Sequence, residues 1–97
     1  MGLKFAGYEW DGGNWPKCGK HGVTKEEIES VFYGEPLMVP DPSPKEFRIR
    51  AVGKSERNQY LLLVFTIRSI DGKNYIRPIS ARRMHRKEIT YYVTQNP

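Results

Sequence analysis

Twelve basic residues fall between positions 45 and 97, and eight of them are arginines. Several recur at strand spacing: Arg48 and Arg50 stand two apart, Arg68 follows Thr66, and Arg77 and Arg82 flank Ser80. A guanidinium donates two parallel hydrogen bonds to a phosphate and keeps its charge throughout the physiological range. Arginines crowded on neighbouring strands repel one another, and a fold tolerates this more readily when an anion lies between them. Such a set suits a phosphate-rich partner, or the extra negative charge of a phosphoryl transition state. The plainer reading is a row of solvent-facing strand arginines.

Proton-transfer candidates are few. His21 lies between Lys20 and Gly22, just ahead of a helix start. An imidazole beside phosphates is a natural base or acid for ribose 2′-OH chemistry, although the same residue equally serves to fix a turn through a backbone carbonyl. His85 precedes Glu88 by three residues, the spacing of a helix cap and its capping-box partner, so Glu88 reads as a cap before it reads as an acid. The two histidines have no metal-ligand spacing, and Cys18 is the only cysteine, so neither a zinc site nor an intrachain disulfide is expected. Gly12-Gly13 lacks the lysine and spacing of a phosphate-binding loop, and no Gly-x-Ser-x-Gly elbow occurs. Cys18, between Lys17 and Gly19, reads as an unreactive thiol rather than a nucleophile.

Charge is segregated along the chain. Residues 1–44 hold four basic and seven acidic side chains, a balance of −3, whereas residues 45–97 hold twelve and four, a balance of +8, which together make the net +5. The chain has 97 residues, the size of one domain spanning 1–97, with 38% hydrophobic residues for one modest core. The longest apolar run, Leu61 to Phe65, is too short to span a bilayer. Met1 to Phe5 shows no apolar secretory segment, so a cytoplasmic location is expected.

The elements that must position these residues follow from patterning. Phe5 to Trp10 reads as a first strand, closed by Asp11-Gly12-Gly13, and Asn14 to Lys20 as a short helix with Pro16 in its first turn. Thr24-Lys25-Glu26-Glu27 has capping-box spacing, and Ile28, Val31 and Phe32 make an apolar stripe that ends near Tyr33 before Gly34 and Pro36. Pro40-Asp41-Pro42-Ser43-Pro44 reads as a stiff loop. Phe47 to Lys54 alternates, with Phe47, Ile49 and Ala51 on one face and Arg48, Arg50 and Val52 on the other. Tyr60 to Ile70 is apolar on both faces, hence central. Asp71-Gly72-Lys73 is a hairpin loop leading to a return strand, Asn74 to Arg82. Strict alternation there puts Tyr75, Arg77, Ile79 and Ala81 on one side and Ile76, Pro78, Ser80 and Arg82 on the other, a pattern that one bulge, favoured by Pro78, would partly invert. Met84 to Thr94 closes the chain as a helix with Ile89, Tyr92 and Val93 as its stripe. The expected fold is α+β: an antiparallel sheet of about four strands, helices packed on one face and the other face partly open.

The order of short motifs adds a resemblance. Tyr8-Glu9-Trp10-Asp11, Lys20-His21-Gly22-Val23, Arg48 five residues before Gly53, Phe65-Thr66 with Arg68, Arg77 with Ile79-Ser80-Ala81-Arg82, and Arg86-Lys87-Glu88 with Tyr92 together resemble the BrnT family, the toxins of bacterial type II toxin–antitoxin operons. The resemblance runs from about residue 8 to 93, with Pro78 standing where the family usually has an aliphatic residue and His85 where it usually has Thr. It implies a RelE-like ribonuclease fold, RNA cleavage that halts translation, and neutralisation by a cognate ribbon-helix-helix antitoxin, in a two-plus-two complex that covers the strand arginines. By position, His21, Arg48, Arg68, Arg77, Ser80, Arg82, Glu88 and Tyr92 match the family pattern.

The resulting expectation is a metal-independent endoribonuclease that needs no cofactor, cleaves mRNA and leaves a 2′,3′-cyclic phosphate. Arg68, Arg77 and Arg82 act on the phosphate with His21 or Glu88 assisting proton transfer, while Arg48, Arg50, Ser80 and Tyr92 bind RNA, the tyrosine by stacking on or positioning a base. The alternative is a non-catalytic basic module, such as an inactive toxin homologue, that binds a partner protein or nucleic acid.

Overall fold

The computed structural model describes residues 5–42 and 47–95, so Met1 to Lys4, with Ser43 and Pro44 of the proline-rich loop, lie outside the described residues. Helix α1 spans Lys25–Tyr33, and the Thr24 hydroxyl accepts the Glu27 N–H at 3.0 Å as its N-cap. The Gly34 N–H closes the last turn on the Val31 carbonyl at 3.1 Å. Only half of the expected capping box forms. Glu27 is buried, and its Oε2 accepts the Ser55 hydroxyl at 2.8 Å instead of returning to the cap. The carboxylate thereby ties α1 to the turn that follows β3.

Five strands form one sheet: β1 Gly7–Tyr8, β2 Leu37–Pro40, β3 Ile49–Lys54, β4 Tyr60–Ile70 and β5 Lys73–Arg83, in the order β1-β5-β4-β3-β2. The α+β architecture is as expected, with one strand more. That strand, β2, runs into the proline-rich segment and pairs antiparallel with β3. Only β1 runs parallel to its neighbour, β5. The β4–β5 hairpin turns on Asp71 and Gly72, both at positive φ (52° and 78°), which is the two-residue turn whose twist matches antiparallel strands.

The core lies between α1 and one face of the sheet. Ile28 and Val31 bury against Ala51, Leu61, Leu63, Phe65 and Ile76. Phe32 meets the Phe65 ring edge-on, 5.1 Å between centroids. Each large side chain fully buried here stabilises the fold by about 1.5–3 kcal/mol. Gly53 is required by close approach, since a Cβ there would stand 3.2 Å from the Pro36 Cβ.

On β5 strict alternation fails. Val64 pairs with Ser80 but Phe65 pairs with Pro78, so Ile79 is an extra, unpaired residue. This bulge corrects the expected faces. Ile76, Pro78 and Ala81 are buried on the α1 side. Arg77, Ser80 and Arg82 instead share the other face, opposite Thr66, Val64 and Leu62. Pro78 has no N–H to give to a ladder, which makes this stretch a favourable place to break register.

Beyond its two-residue pairing with β1, the outer edge of β5 is covered by residues 11–22. Asn14 is buried and donates through Nδ2 to the carbonyls of Pro78 and Glu9, both at 2.9 Å. Covering the edge in this way prevents strand addition there. Within this segment the expected short helix is a single 3₁₀ turn, Lys17–Gly19, that buries Cys18. Burial pushes the Cys18 thiol up, away from the thiolate form that reacts.

Helix α2 spans Arg86–Gln95, and none of its residues is buried. Ile89 and Tyr92 are half-buried as expected, but Val93 is exposed. The Tyr92 ring contacts Tyr60 at 5.9 Å, on the face of β4 opposite α1. Thus the expectation of helices on one face is corrected: α1 covers the packed face, whereas α2 stands over one end of the other, its Tyr92 against Tyr60, and leaves the rest open. Among the described residues no helix is long and apolar enough to cross a membrane.

Candidate active site

A concavity of about 300 Å³ opens on this second face, lined by Lys20, His21, Arg50, Leu62, Val64, Ser80, Ala81 and Arg82. Its geometry comes from three pieces of chain. The β3–β4–β5 register places Arg50, Val64 and Ser80 in one row and Leu62 and Arg82 in the next. The bulge at Ile79 is what turns Ser80 and Arg82 into this space. Residues 20 and 21 arrive from the segment that covers the β5 edge, anchored where Arg83 Nη1 donates to the His21 carbonyl at 3.1 Å.

The groups around the concavity differ in how firmly they are held. Arg82 is gripped by Glu88 through two bonds, Nη1 to Oε1 at 2.9 Å and Nη2 to Oε2 at 2.8 Å. Glu88 also accepts the His85 N–H at 2.7 Å, the half of a capping box in which the acid reaches back to the helix start. These two contacts, Arg82 first, hold the Glu88 carboxyl at about 2, against an ordinary 4.5. A group so acidic is a carboxylate at neutral pH and has no proton to donate. The guanidinium of Arg82 is correspondingly shifted up by Glu88. Arg50 donates from Nε to Asp41 at 2.7 Å. By contrast, the His21 side chain, the Ser80 hydroxyl and the Lys20 ammonium make no hydrogen bond or ion pair with other described residues.

Other residues singled out in the sequence lie elsewhere. Arg77 sits opposite Thr66 and Arg82 opposite Leu62, about 13 Å apart along the strand. Both forks of Arg77 are occupied, by Asp11 through two bonds of 3.0 Å and by Glu9 at 3.0 Å. Its side chain is only 18% exposed. Asp11 is held below its usual range chiefly by Arg77, with help from the Gly13 N–H. Arg68, on the same face, is 54% exposed and reaches Glu9 only at 3.7 Å. The motif Glu9-Trp10-Asp11 therefore serves as a clamp. Its carboxylates grip β5 while the Trp10 Nε1 donates to Glu29 of α1 at 2.9 Å. Arg48 precedes β3, its carbonyl accepting the Asp41 N–H at 3.0 Å. Tyr92 looks onto the neighbouring groove under α2.

The concavity thus unites His21, Arg50, Ser80 and Arg82, with Glu88 behind Arg82. It leaves Arg68 and Arg77 in a separate ionic cluster. Lys20 belongs to the site and was not singled out in the sequence. Its signals were adjacency to His21 and a place in the Lys20-His21-Gly22-Val23 motif, neither of which gives a loop lysine a role at a site formed by distant strands.

The family model described as the ribonuclease toxin, BrnT, of type II toxin–antitoxin systems matches residues 10–88. That span contains every residue lining the concavity and also Glu88. No individual curated protein matches the chain. A match over most of the chain settles the family: this chain belongs to the BrnT ribonuclease toxins of type II toxin–antitoxin systems, proteins that act beside a cognate antitoxin.

Proposed function

We propose that this toxin is a single-domain, cytoplasmic endoribonuclease that cleaves mRNA without a metal ion and so halts translation. The observation that carries this reading is the convergence of Lys20, His21, Arg50, Ser80 and Arg82 on one concavity. In this proposal the scissile phosphate sits between Lys20, Arg50 and Arg82. Arg82, pre-oriented by Glu88, faces the oxygens on which charge builds. His21 takes the proton from the ribose 2′-OH. The 2′-oxygen bonds to phosphorus, the bond to the 5′-oxygen breaks, and that oxygen takes a proton from solvent as it leaves, giving a 2′,3′-cyclic phosphate and a 5′-hydroxyl. Ser80 hydrogen-bonds a phosphate oxygen. Tyr92 stacks on a flanking base, and Arg48 and Arg68 guide the backbone along the open face. Glu88 acts as a positioning residue through Arg82, since its acidity removes it as a proton donor. Arg77, whose guanidinium carries two carboxylates, holds the clamp in this reading.

The partner in this proposal is a ribbon-helix-helix antitoxin. Such proteins are dimers, so a two-plus-two complex follows.

The rival reading, a non-catalytic binding module, draws on one observation: carboxylates occupy the forks of Arg82 and Arg77. Incubating the purified chain with RNA in excess chelator separates the two. The nuclease reading expects cleavage that persists under chelation, with 2′,3′-cyclic phosphate ends that Arg82→Ala abolishes. Intact RNA with the parent chain, on and off ribosomes, overturns it.

A further inference from the structure

Next to the concavity, on the same face, lies a second depression of about 420 Å³. Leu37 and Val39 of β2, Val52 of β3 and Leu62 of β4 form its floor, and α2 walls it with Tyr91 and Tyr92. Arg50 and Leu62 border both depressions, so the two are continuous. The groove is not closed by the chain itself: Tyr91 is 69% exposed, Leu37 40% and Val39 36%. An apolar face this open on a small protein signals a partner.

The chemistry of the groove selects among partners. The four aliphatic side chains of the floor offer no hydrogen bond to a base edge, so RNA reaches the groove only as far as the base stacked on Tyr92. Its rim is basic. Lys87 makes no ion pair with other described residues, Arg86 beside it is exposed, and Glu88 is already bound by Arg82. A second copy docked through its own groove would bring the same cations against these and be repelled. An amphipathic helical segment with apolar residues on one stripe and Asp or Glu flanking it satisfies both floor and rim.

We propose that this groove is the docking surface for the cognate antitoxin, entered by an amphipathic, acidic-flanked segment. The assignment rests on the reading of the concavity as a nuclease site. Because the depressions share Arg50 and Leu62, an occupant of the groove also crowds the mouth of that site and fixes α2, with Glu88, against Arg82. Inhibition then needs no contact with the clamp at Arg77.

The test uses the full chain carrying Leu37→Glu, Tyr91→Glu or Lys87→Glu, and the purified antitoxin encoded beside the toxin gene. Circular dichroism selects folded variants, and Lys87→Glu, on an exposed helix position, secures a folded one. Each substitution should weaken antitoxin binding at least about 30-fold, because it sets like charge against an acidic segment. RNA cleavage by each free variant should stay within about twofold of the parent. Unchanged antitoxin affinity in the folded variants overturns the assignment. So does lost RNA cleavage with antitoxin affinity retained, which would give the groove to RNA. Loss of a self-association present in the parent, with antitoxin affinity retained, would give it to a second copy and likewise overturn it. Should the parent bind the antitoxin through this groove yet cleave no RNA, the docking surface stands and the nuclease reading alone fails.

Discussion

Arg82 and Glu88 meet as a two-pronged ion pair, 2.9 and 2.8 Å, across the junction of β5 and α2. Both side chains are about one-third exposed, so solvent screens the pair and its contribution to stability is modest. Its importance is geometric. It fixes the plane and direction of the guanidinium that faces the concavity, and Glu88 is itself fixed by the His85 N–H. The orientation of one arginine is thus set by a helix start rather than by its own strand.

Removing the guanidinium should therefore cost far more in rate than in fold. Arg82→Ala is expected to lower RNA cleavage by about 10²–10³, the usual effect of losing one oriented charge-stabilising donor. Arg82→Lys should also be impaired, because a point charge reproduces neither the fork on Glu88 nor a bidentate phosphate contact. Single-turnover cleavage of a short RNA, with thermal melts as the fold control, checks both. Wild-type rates in folded Arg82→Ala would remove Arg82 from the site.

Glu88 should titrate far below a free glutamate. Its carboxyl lies at about 2 in the folded chain against 4.5 ordinarily, so its charged form is favoured by folding. The sign follows: the stabilisation is fully present above about pH 4.5 and is lost as pH falls through about 2. Carboxyl chemical shifts followed by NMR should show Glu88 still ionised at pH 3. In Arg82→Ala the titration should move up toward 4.5 but stop short of it, since the His85 N–H remains. A Glu88 that titrates normally in the parent chain would show that the pair does not persist in solution.

Elements with strong local chemistry were legible in the sequence. The Thr24 cap and Gly34 stop delimit α1, and Asp71-Gly72 demands its turn. The bulge at Ile79 was legible only as a consequence of Pro78, because a period of two carries no mark of where one residue is skipped. The same limit hid the face on which the site lies, since one skipped residue turns Ser80 and Arg82 away from the buried Ile76 and Pro78. The clamp was hidden for a different reason. Glu9 and Asp11 reach Arg77 across more than sixty residues, and no local pattern encodes such a pairing. Strand β2 was masked by the prolines around it, and α2 has too little buried surface for its stripe to predict which face it meets.

Arg77 should behave as a structural residue, in contrast to Arg82. Arg77→Ala leaves Glu9 and Asp11 facing each other without their cation, which loosens residues 11–22 from the edge of β5. In a double-mutant cycle, Arg77→Ala and Asp11→Ala should be non-additive, because the forked contact is lost once either partner is removed. Chemical denaturation measures the coupling. Cleavage by folded Arg77→Ala, assayed well below its melting temperature, should stay within about tenfold of the parent. A loss as large as that of Arg82→Ala, in a variant shown to be folded, would return Arg77 to the chemistry.

Salt dependence should separate the residues that touch phosphate from those that do not. Each neutralised phosphate releases condensed counterion, so the logarithm of RNA affinity falls with the logarithm of salt at about 0.7 per contact for a single strand. Lys20 and Arg82 line the concavity, whereas Arg77 is held by two carboxylates. Lys20→Ala and Arg82→Ala should each flatten the slope by about 0.7, and Arg77→Ala should leave it almost unchanged once folded protein alone is counted. Fluorescence anisotropy of a short labelled RNA, whose 2′-deoxy substitution at the cleavage position prevents turnover, gives these slopes directly. Lys20 is the sharper probe of the two. Its ammonium has no partner among the described residues, so its removal unmasks no buried carboxylate and disturbs no strand. If Lys20→Ala kept the full slope, the phosphate would have to lie farther up the open face, toward Arg68, and the concavity would lose its assignment.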